Sequence, residues 1–148
     1  TVEDNIAYVL TISGQKNKKQ NQKRVLELLN LVGLEESLLK RRPSELSGGQ
    51  QQRVGIARAL AAKPKIMLMD EPFGALDEIT RKMMKKELLA LHKKLGLTVV
   101  FITHDIREAM KLGDRVLVMD QGRAIQLDKP EVILEHPANA FVQELISD

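Results

Sequence analysis

A short apolar run that ends in two acids, Ile66-Met67-Leu68-Met69-Asp70-Glu71, is the clearest structural signal in the sequence. Such a run, placed shortly after Lys63-Pro64, predicts a buried parallel strand. In open α/β sheets, ligands lie at the carboxyl ends of the strands. The two carboxylates therefore stand where a ligand would bind.

These two carboxylates suit different tasks. Asp70 can hold Mg²⁺, directly or through water, because this ion prefers hard oxygen ligands and keeps several waters. Glu71 lies one residue further and can orient or deprotonate a water that attacks a terminal phosphate. The alternative is that both acids merely form a turn after the strand, as acidic residues commonly do.

Helix and strand patterns alternate in the rest of the chain. A helix is predicted from Glu78 to Leu95, with Gly96 as its stop. We expect one apolar face of this helix to be buried: Ile79, Met83, Leu88, Leu91 and Leu95. The segments that follow are predicted as a buried strand, a helix, a strand, a turn and a strand: 98–103, 106–112, 115–119, 121–122 and 124–127. This alternation predicts a layered α/β fold.

The chain up to Ala62 has a helical pattern and no strand pattern. Its clearest feature is an apolar stripe, Val25, Leu28, Leu29 and Val32, in a helix that Gly33 is placed to end. We therefore divide the chain into a helical part, residues 1–62, and an α/β part, residues 63–148.

Composition narrows the possible classes of protein. The 148 residues suit one ordinary core, and 23 basic against 20 acidic residues give nearly balanced charge. Nucleic acid is not an expected partner, even with the basic segments 16–23 and 40–42, because aromatic residues make up only 3% and leave few stacking platforms. The absence of cysteine fits a reducing compartment, and no apolar run is long enough to span a membrane.

A second motif, Leu46-Ser47-Gly48-Gly49-Gln50, precedes a helix predicted from Gln51 to Ala62. The backbone amides at a helix N-terminus attract anions, and paired glycines let the backbone approach a phosphate closely. Taken alone, the motif also fits a loop with a serine cap and flexible glycines.

Taken together, these motifs resemble those of the ABC ATPases. The resemblance covers five elements in the family's order: Leu46-Ser47-Gly48-Gly49-Gln50, a helix, Asp70-Glu71-Pro72, Ala75-Leu76-Asp77 and His104 after a strand. It implies a P-loop NTPase-like (RecA-like) α/β core, present in part, with an α-helical subdomain at 1–62 and the C-terminal half of the nucleotide-binding core at 63–148.

The resemblance also implies roles for single residues. Ser47, Gly48, Gly49 and Gln50 would contact ATP held by a second subunit. Asp70 would associate with Mg²⁺, Glu71 would act as general base, and His104 would contact the terminal phosphate. Asp77 would lie in a loop that communicates across the dimer, where Gly74 replaces a more usual serine. His92 and His136 match no family position, and we expect them to be surface residues.

One family element is missing from the sequence. No Gly-Lys dipeptide occurs among the nine glycines, so the phosphate-binding loop Gly-x-x-x-x-Gly-Lys-Ser/Thr is absent. We therefore expect a chain truncated before Thr1 that hydrolyses no ATP alone, while the whole subunit forms a head-to-tail dimer at the cytoplasmic face of the membrane.

Three sequence segments are most similar to the ATPases of osmoprotectant importers: Glu78-Ile79-Thr80-Arg81, 107–115 and 137–142. These importers take up glycine betaine, carnitine, choline or proline. The expected partners are transmembrane permease subunits and, indirectly, a solute-binding protein. Two alternatives stay open: an importer of another small solute, such as a polyamine or sulfonate, and a non-catalytic interaction module.

Overall fold

The computed structural model of the chain describes residues 1–74 and 76–147. Its helices are α1 (Val2–Ile12), α2 (Lys18–Leu31), α3 (Gly48–Leu60), α4 (Glu78–Leu95), α5 (Ile106–Leu112), α6 (Pro130–Glu135) and α7 (Ala140–Ser147). Its strands are β1 (Ile66–Asp70), β2 (Thr98–Ile102), β3 (Val116–Asp120) and β4 (Arg123–Asp128). The chain forms two compact units, Thr1–Phe101 and Ile102–Asp148. The division at residue 62 stays a prediction.

The first unit is built on the mutual packing of α1, α2 and α3. The predicted stripe of α2 is confirmed, because Val25, Leu28, Leu29 and Val32 are all buried. They share a core with α1, whose start is fixed by a capping box between Thr1 and Asp4. Burial of several large aliphatic side chains makes this the best-covered part of the unit.

Glycines end two helices where the sequence predicts. Gly33 follows α2 with a φ of 68°, and Gly96 follows α4 with a φ of 62°. Both lie in the left-handed region that terminates helices and that glycine enters without steric cost.

β1 and β2 pair in a two-stranded sheet, and the prediction that both strands are buried is wrong for one face. Met67 is buried and Phe101 half-buried, whereas Ile66, Leu68 and Val100 are exposed. Side chains of a strand alternate between the two faces of a sheet. Among the described residues, protein covers one of those faces only.

The predicted buried face of α4 is also partly wrong. Ile79, Met83 and Leu95 are exposed, and Ile79 retains 82% of its accessible surface. The buried residues are Met84 and Leu88, one helical turn apart. The reason is the direction of the contact with α3, made by Thr80 against Gly49 and by Glu87 against Arg53.

The second unit contains a hairpin of β3 and β4, paired antiparallel as the turn at Gln121-Gly122 predicts. Both turn residues have positive φ, 45° and 76°, as in the primed turns that match strand twist. Its core is formed by Val116, Val118, Ile133 and Val142. The last two lie on α6 and α7, which the sequence patterns above do not predict. Within the described part of the chain, every helix is too short or too polar to cross a membrane.

Candidate active site

Ser47 is the N-cap of α3, which begins at Gly48 rather than at the predicted Gln51. The Ser47 hydroxyl accepts a hydrogen bond from the Gln50 backbone N–H at 3.3 Å, and the Gln50 side-chain oxygen accepts from the Ser47 N–H at 3.0 Å. This reciprocal pair is a capping box. It places both glycines in the first helical turn, where backbone N–H groups lack partners within the helix.

The first turn of α3 is therefore suited on physical grounds to bind an anion. The partial positive charge of the helix N-terminus attracts negative groups, most strongly within this turn. The Ser47 hydroxyl uses a lone pair in the capping box and keeps its own proton for donation. A serine cap and a phosphate contact are thus compatible in one residue.

Gly49 and Asp77 lie on either side of Thr80. A Cβ atom added to Gly49 would approach the Thr80 methyl carbon to 2.9 Å, a distance that real Cβ atoms do not reach. The Thr80 backbone N–H donates to Asp77 Oδ1 at 3.0 Å, so Asp77 is the N-cap of α4. The structure therefore brings the glycine motif and Asp77 together through Thr80.

The ionised form of Asp77 is favoured by this arrangement. Hydrogen bonds from the Thr80 hydroxyl, and then from its backbone N–H, lower the pKa of Asp77 below its usual range. The helix N-terminus acts in the same direction. Asp77 is therefore an acceptor of hydrogen bonds at neutral pH. Ala75, in the same loop, lies outside the described residues.

Asp70 closes β1, and Glu71 follows it in an unusual backbone conformation. Both side chains belong to exposed residues, so a ligand can reach them. Glu71 has a φ of 46°, which lies in the left-handed region and costs a non-glycine residue about 1–2 kcal/mol. Strain of this kind concentrates at functional sites. The turn is closed by the Gly74 N–H, which donates to the Glu71 carbonyl at 3.2 Å.

Aromatic packing anchors the turn that carries Glu71. Phe73 is buried and meets Phe101 of β2 edge to face, with 6.2 Å between ring centroids. The Lys85 ammonium lies 5.6 Å from the Phe73 centroid. Glu71 lies two residues before Phe73. The packing of Phe73 therefore anchors the turn of Glu71 to the sheet.

Among the described residues, no three acids or histidines are grouped as a complete metal site. Asp70 would thus be a single protein ligand. This fits Mg²⁺, which is usually bound by one or two carboxylates together with waters and substrate phosphates. The carboxylate of Asp70 therefore suits Mg²⁺ and would supply one ligand of its coordination shell. Water and phosphate oxygens would supply the others.

His104 is exposed and lies in the second unit, two residues after Ile102 ends β2. Its neighbours are ordered: Asp105 is the N-cap of α5, and the Thr103 hydroxyl accepts from the Asp105 N–H at 3.1 Å. His136 is exposed, as predicted. The expectation for His92 is wrong, because its Nδ1 lies 2.8 Å from the Leu97 carbonyl oxygen and the residue is half-buried beside the end of α4.

Sequence reasoning missed Arg53, which joins three helices of the first unit. Its guanidinium donates to the Val32 carbonyl at 2.7 Å, at the end of α2, and to Glu87 of α4 at 2.7 Å. A cavity of about 330 Å³ opens beside it, between the end of α2, α3 and α4. Only the position of Arg53 one turn after the glycine motif could have suggested this role.

Residues 1–74 match the sequence model of the ABC transporter family. The chain belongs to the ABC transporter family. A solved structure of a dimeric ATP-binding cassette in a post-hydrolysis state, bound to ADP and Pi, is 39% identical and has a TM-score of 0.73. The match covers 88% of this ABC chain and 56% of the chain in the solved structure. The predicted fold class is thereby confirmed: a P-loop NTPase-like α/β core, present in part, with an α-helical subdomain.

Two curated relatives match nearly all of this ABC transporter chain. The carnitine transport ATP-binding protein of Listeria monocytogenes is 50% identical over 146 residues, which is 99% of the chain. The spermidine/putrescine import ATP-binding protein of Lawsonia intracellularis is 49% identical over all 148 residues. The chain spans 36% of the first relative and 40% of the second.

Proposed function

We propose that the chain is part of the ATP-binding and ATP-hydrolysing subunit of a bacterial ABC importer that powers uptake of an osmoprotectant. Glycine betaine, carnitine, choline and proline are the candidate solutes. One observation carries the proposal: a capped glycine motif and a strand-terminal acid pair occur in a chain that is 50% identical, over 99% of its length, to a carnitine transport ATP-binding protein.

The proposed chemistry divides among named residues. Ser47, Gly48, Gly49 and Gln50 bind the phosphates of ATP held by a second subunit, using the N-terminal amides of α3. Glu71 accepts a proton from the attacking water, and His104 donates a hydrogen bond to the terminal phosphate. Asp77 transmits contact across the head-to-tail dimer.

The proposed cofactors are ATP and Mg²⁺. Asp70 holds the ion, which when bound neutralises charge that develops on the phosphates. Glu71 lies one residue away, in a strained backbone conformation. The chain thus supplies one acid for the metal and another for the water.

The proposed setting is the cytoplasmic face of the membrane, with permease subunits as direct partners. A separate solute-binding protein would choose the solute. The helical subdomain, residues 1–62, would receive the permease, and residues 63–148 would form the C-terminal half of the nucleotide-binding core.

A polyamine importer is the second candidate. The Lawsonia relative, named for spermidine and putrescine, is 49% identical over the whole chain, nearly the same as the carnitine relative. The two candidates differ in one measurement, uptake of radiolabelled carnitine against spermidine by cells that carry the complete transporter. A non-catalytic interaction module is the third candidate.

The test uses a chimera in which this chain replaces the matched stretch of the Listeria relative. We expect the chimera to hydrolyse ATP with Mg²⁺ and Glu71→Gln to lower the rate by about 10²- to 10⁴-fold, because an amide cannot accept the proton. ATP binding, measured by equilibrium dialysis, should stay unchanged.

Glu131→Gln is the matched control, because Glu131 is an exposed acid on α6 outside the proposed site. It should leave hydrolysis unchanged. Full turnover by Glu71→Gln would remove Glu71 from the role of base. Magnesium-dependent hydrolysis by the 148-residue chain alone would show that the missing phosphate loop is not required, against the proposal.

A further inference from the structure

We propose that Glu108 is a positioning residue that fixes the loop carrying His104 and acts through the hydroxyl of Thr103. The inference rests on the role of His104 under the proposed function. Among the described residues, Glu108 is the one charged residue that is buried, with 7% of its surface exposed. A buried carboxylate costs free energy unless hydrogen bonds compensate it, so its partners indicate its purpose.

The contact to Thr103 is directional. The Thr103 hydroxyl accepts from the Asp105 backbone N–H at 3.1 Å and donates its proton to Glu108 Oε2, also at 3.1 Å. A hydroxyl has a single proton to donate. The carboxylate therefore sets the orientation of the hydroxyl, and the hydroxyl fixes the peptide that follows His104.

The residue on the other side of His104 is held from the same helix. Asp105 Oδ1 accepts from the backbone N–H groups of Arg107 at 2.9 Å and Glu108 at 3.3 Å. Thr103 and Asp105 flank His104, and each is tied to the first turn of α5. The backbone of His104 is thus constrained on both sides while the side chain is exposed.

This arrangement differs from a simple helix cap. Asp105 already caps α5, so the cap does not need the Glu108 side chain. In a capping box, an acid at the Glu108 position accepts from the backbone N–H of the cap residue. Here the Thr103 hydroxyl connects that N–H to the acid, which extends the constraint to the residue before His104.

The experiment is a double-mutant cycle in the chimera. We expect Thr103→Val to lower kcat for ATP hydrolysis about 10-fold with little change in KM, because displacement of a catalytic group slows the chemical step. Thr103→Ser restores the hydroxyl and should restore kcat. In a His104→Ala background, Thr103→Val should have no further effect. Thr98→Val, at an exposed threonine of β2, is the control and should change nothing.

We call the hydrogen bonds that join Glu108, the Thr103 hydroxyl and the Asp105 N–H the clamp. A second measurement tests this clamp without catalysis. In the 148-residue chain, amide hydrogen exchange of Asp105 should accelerate in Thr103→Val and in Glu108→Ala but not in Thr98→Val. Unchanged exchange in both variants would overturn the inference.

The outcomes separate the two proposals. A tenfold loss from Thr103→Val that persists in the His104→Ala background would show that the clamp does not act through His104, and the inference would be wrong while His104 kept its role. A His104→Ala chimera with full turnover would instead refute the role of His104, and the inference would fail with it.

Discussion

Two parts of the first unit carry large apolar side chains that differ greatly in burial. The helices α1 and α2 bury their apolar stripes completely, so that Leu28 has no exposed surface, whereas Leu68 of β1 keeps 75% of its surface exposed. The helices cover one another, and the two-stranded sheet is covered on one face. Apolar composition therefore indicates that a surface is suited to burial, and only the fold tells what covers it.

The largest effect is expected from the matched substitutions Leu28→Ala and Leu68→Ala. Loss of a fully buried leucine should lower the free energy of unfolding by about 2–5 kcal/mol, because transfer and cavity terms add. The same change at Leu68 should stay within about 0.5 kcal/mol, as at other exposed positions. Urea unfolding of the 148-residue chain measures both. A large loss at Leu68 would show that a copy or another segment covers β1 in solution.

A smaller effect tests the packing of α3 against α4. Gly49→Ala should destabilise the chain by about 1–3 kcal/mol, since the new methyl group overlaps the Thr80 methyl carbon. Thr80→Ser removes that carbon and should recover most of the loss in the double variant. Gly55→Ala is the control on the same helix, because nothing lies within 4 Å of its added Cβ.

Gly55→Ala should raise the free energy of unfolding by about 0.5–1 kcal/mol, as expected for glycine replaced inside a helix. The measurement is again urea unfolding. Equal losses from both alanine substitutions would contradict the close approach of Gly49 and Thr80.

The smallest effect concerns pH. The pKa of Asp77 is lowered in the fold, first by its hydrogen bond from the Thr80 hydroxyl, so the ionised group stabilises the fold above its unfolded pKa of about 3.8. That contribution is lost as pH falls through the lower, folded pKa. The stability difference between the chain and Asp77→Asn should therefore be larger at pH 7 than at pH 2.5, measured by urea midpoints. An equal difference at both pH values would contradict this.

Local signals in the sequence predicted the elements well. Gly33 and Gly96 marked helix ends, the helix 106–112 was predicted with its observed bounds, and Gln121-Gly122 marked a hairpin. These features depend on backbone conformation within a few residues. The exposed positions of Ile79 and Leu68 were not predictable, because burial depends on partners distant in sequence.

The sequence motifs of the site could be predicted, whereas the contacts between residues of different motifs could not. The sequence pattern Ser-x-x-Gln is itself a capping-box signal, so the start of α3 at Gly48 could have been predicted from Ser47 and Gln50. The contact of Gly49 with Thr80 and the bonds of Arg53 join residues about 20 to 35 positions apart. Spacing alone gives no signal for such pairs.

At position 71, the left-handed backbone conformation makes the residue best for stability differ from the residue proposed to be needed for ATP hydrolysis. Glycine at this position would adopt the observed φ of 46° without steric cost, and would remove the carboxylate proposed as the base. Directed evolution that rewards only heat resistance will therefore favour glycine at position 71 and lose turnover. Libraries built on this scaffold should keep residue 71 fixed and seek robustness elsewhere.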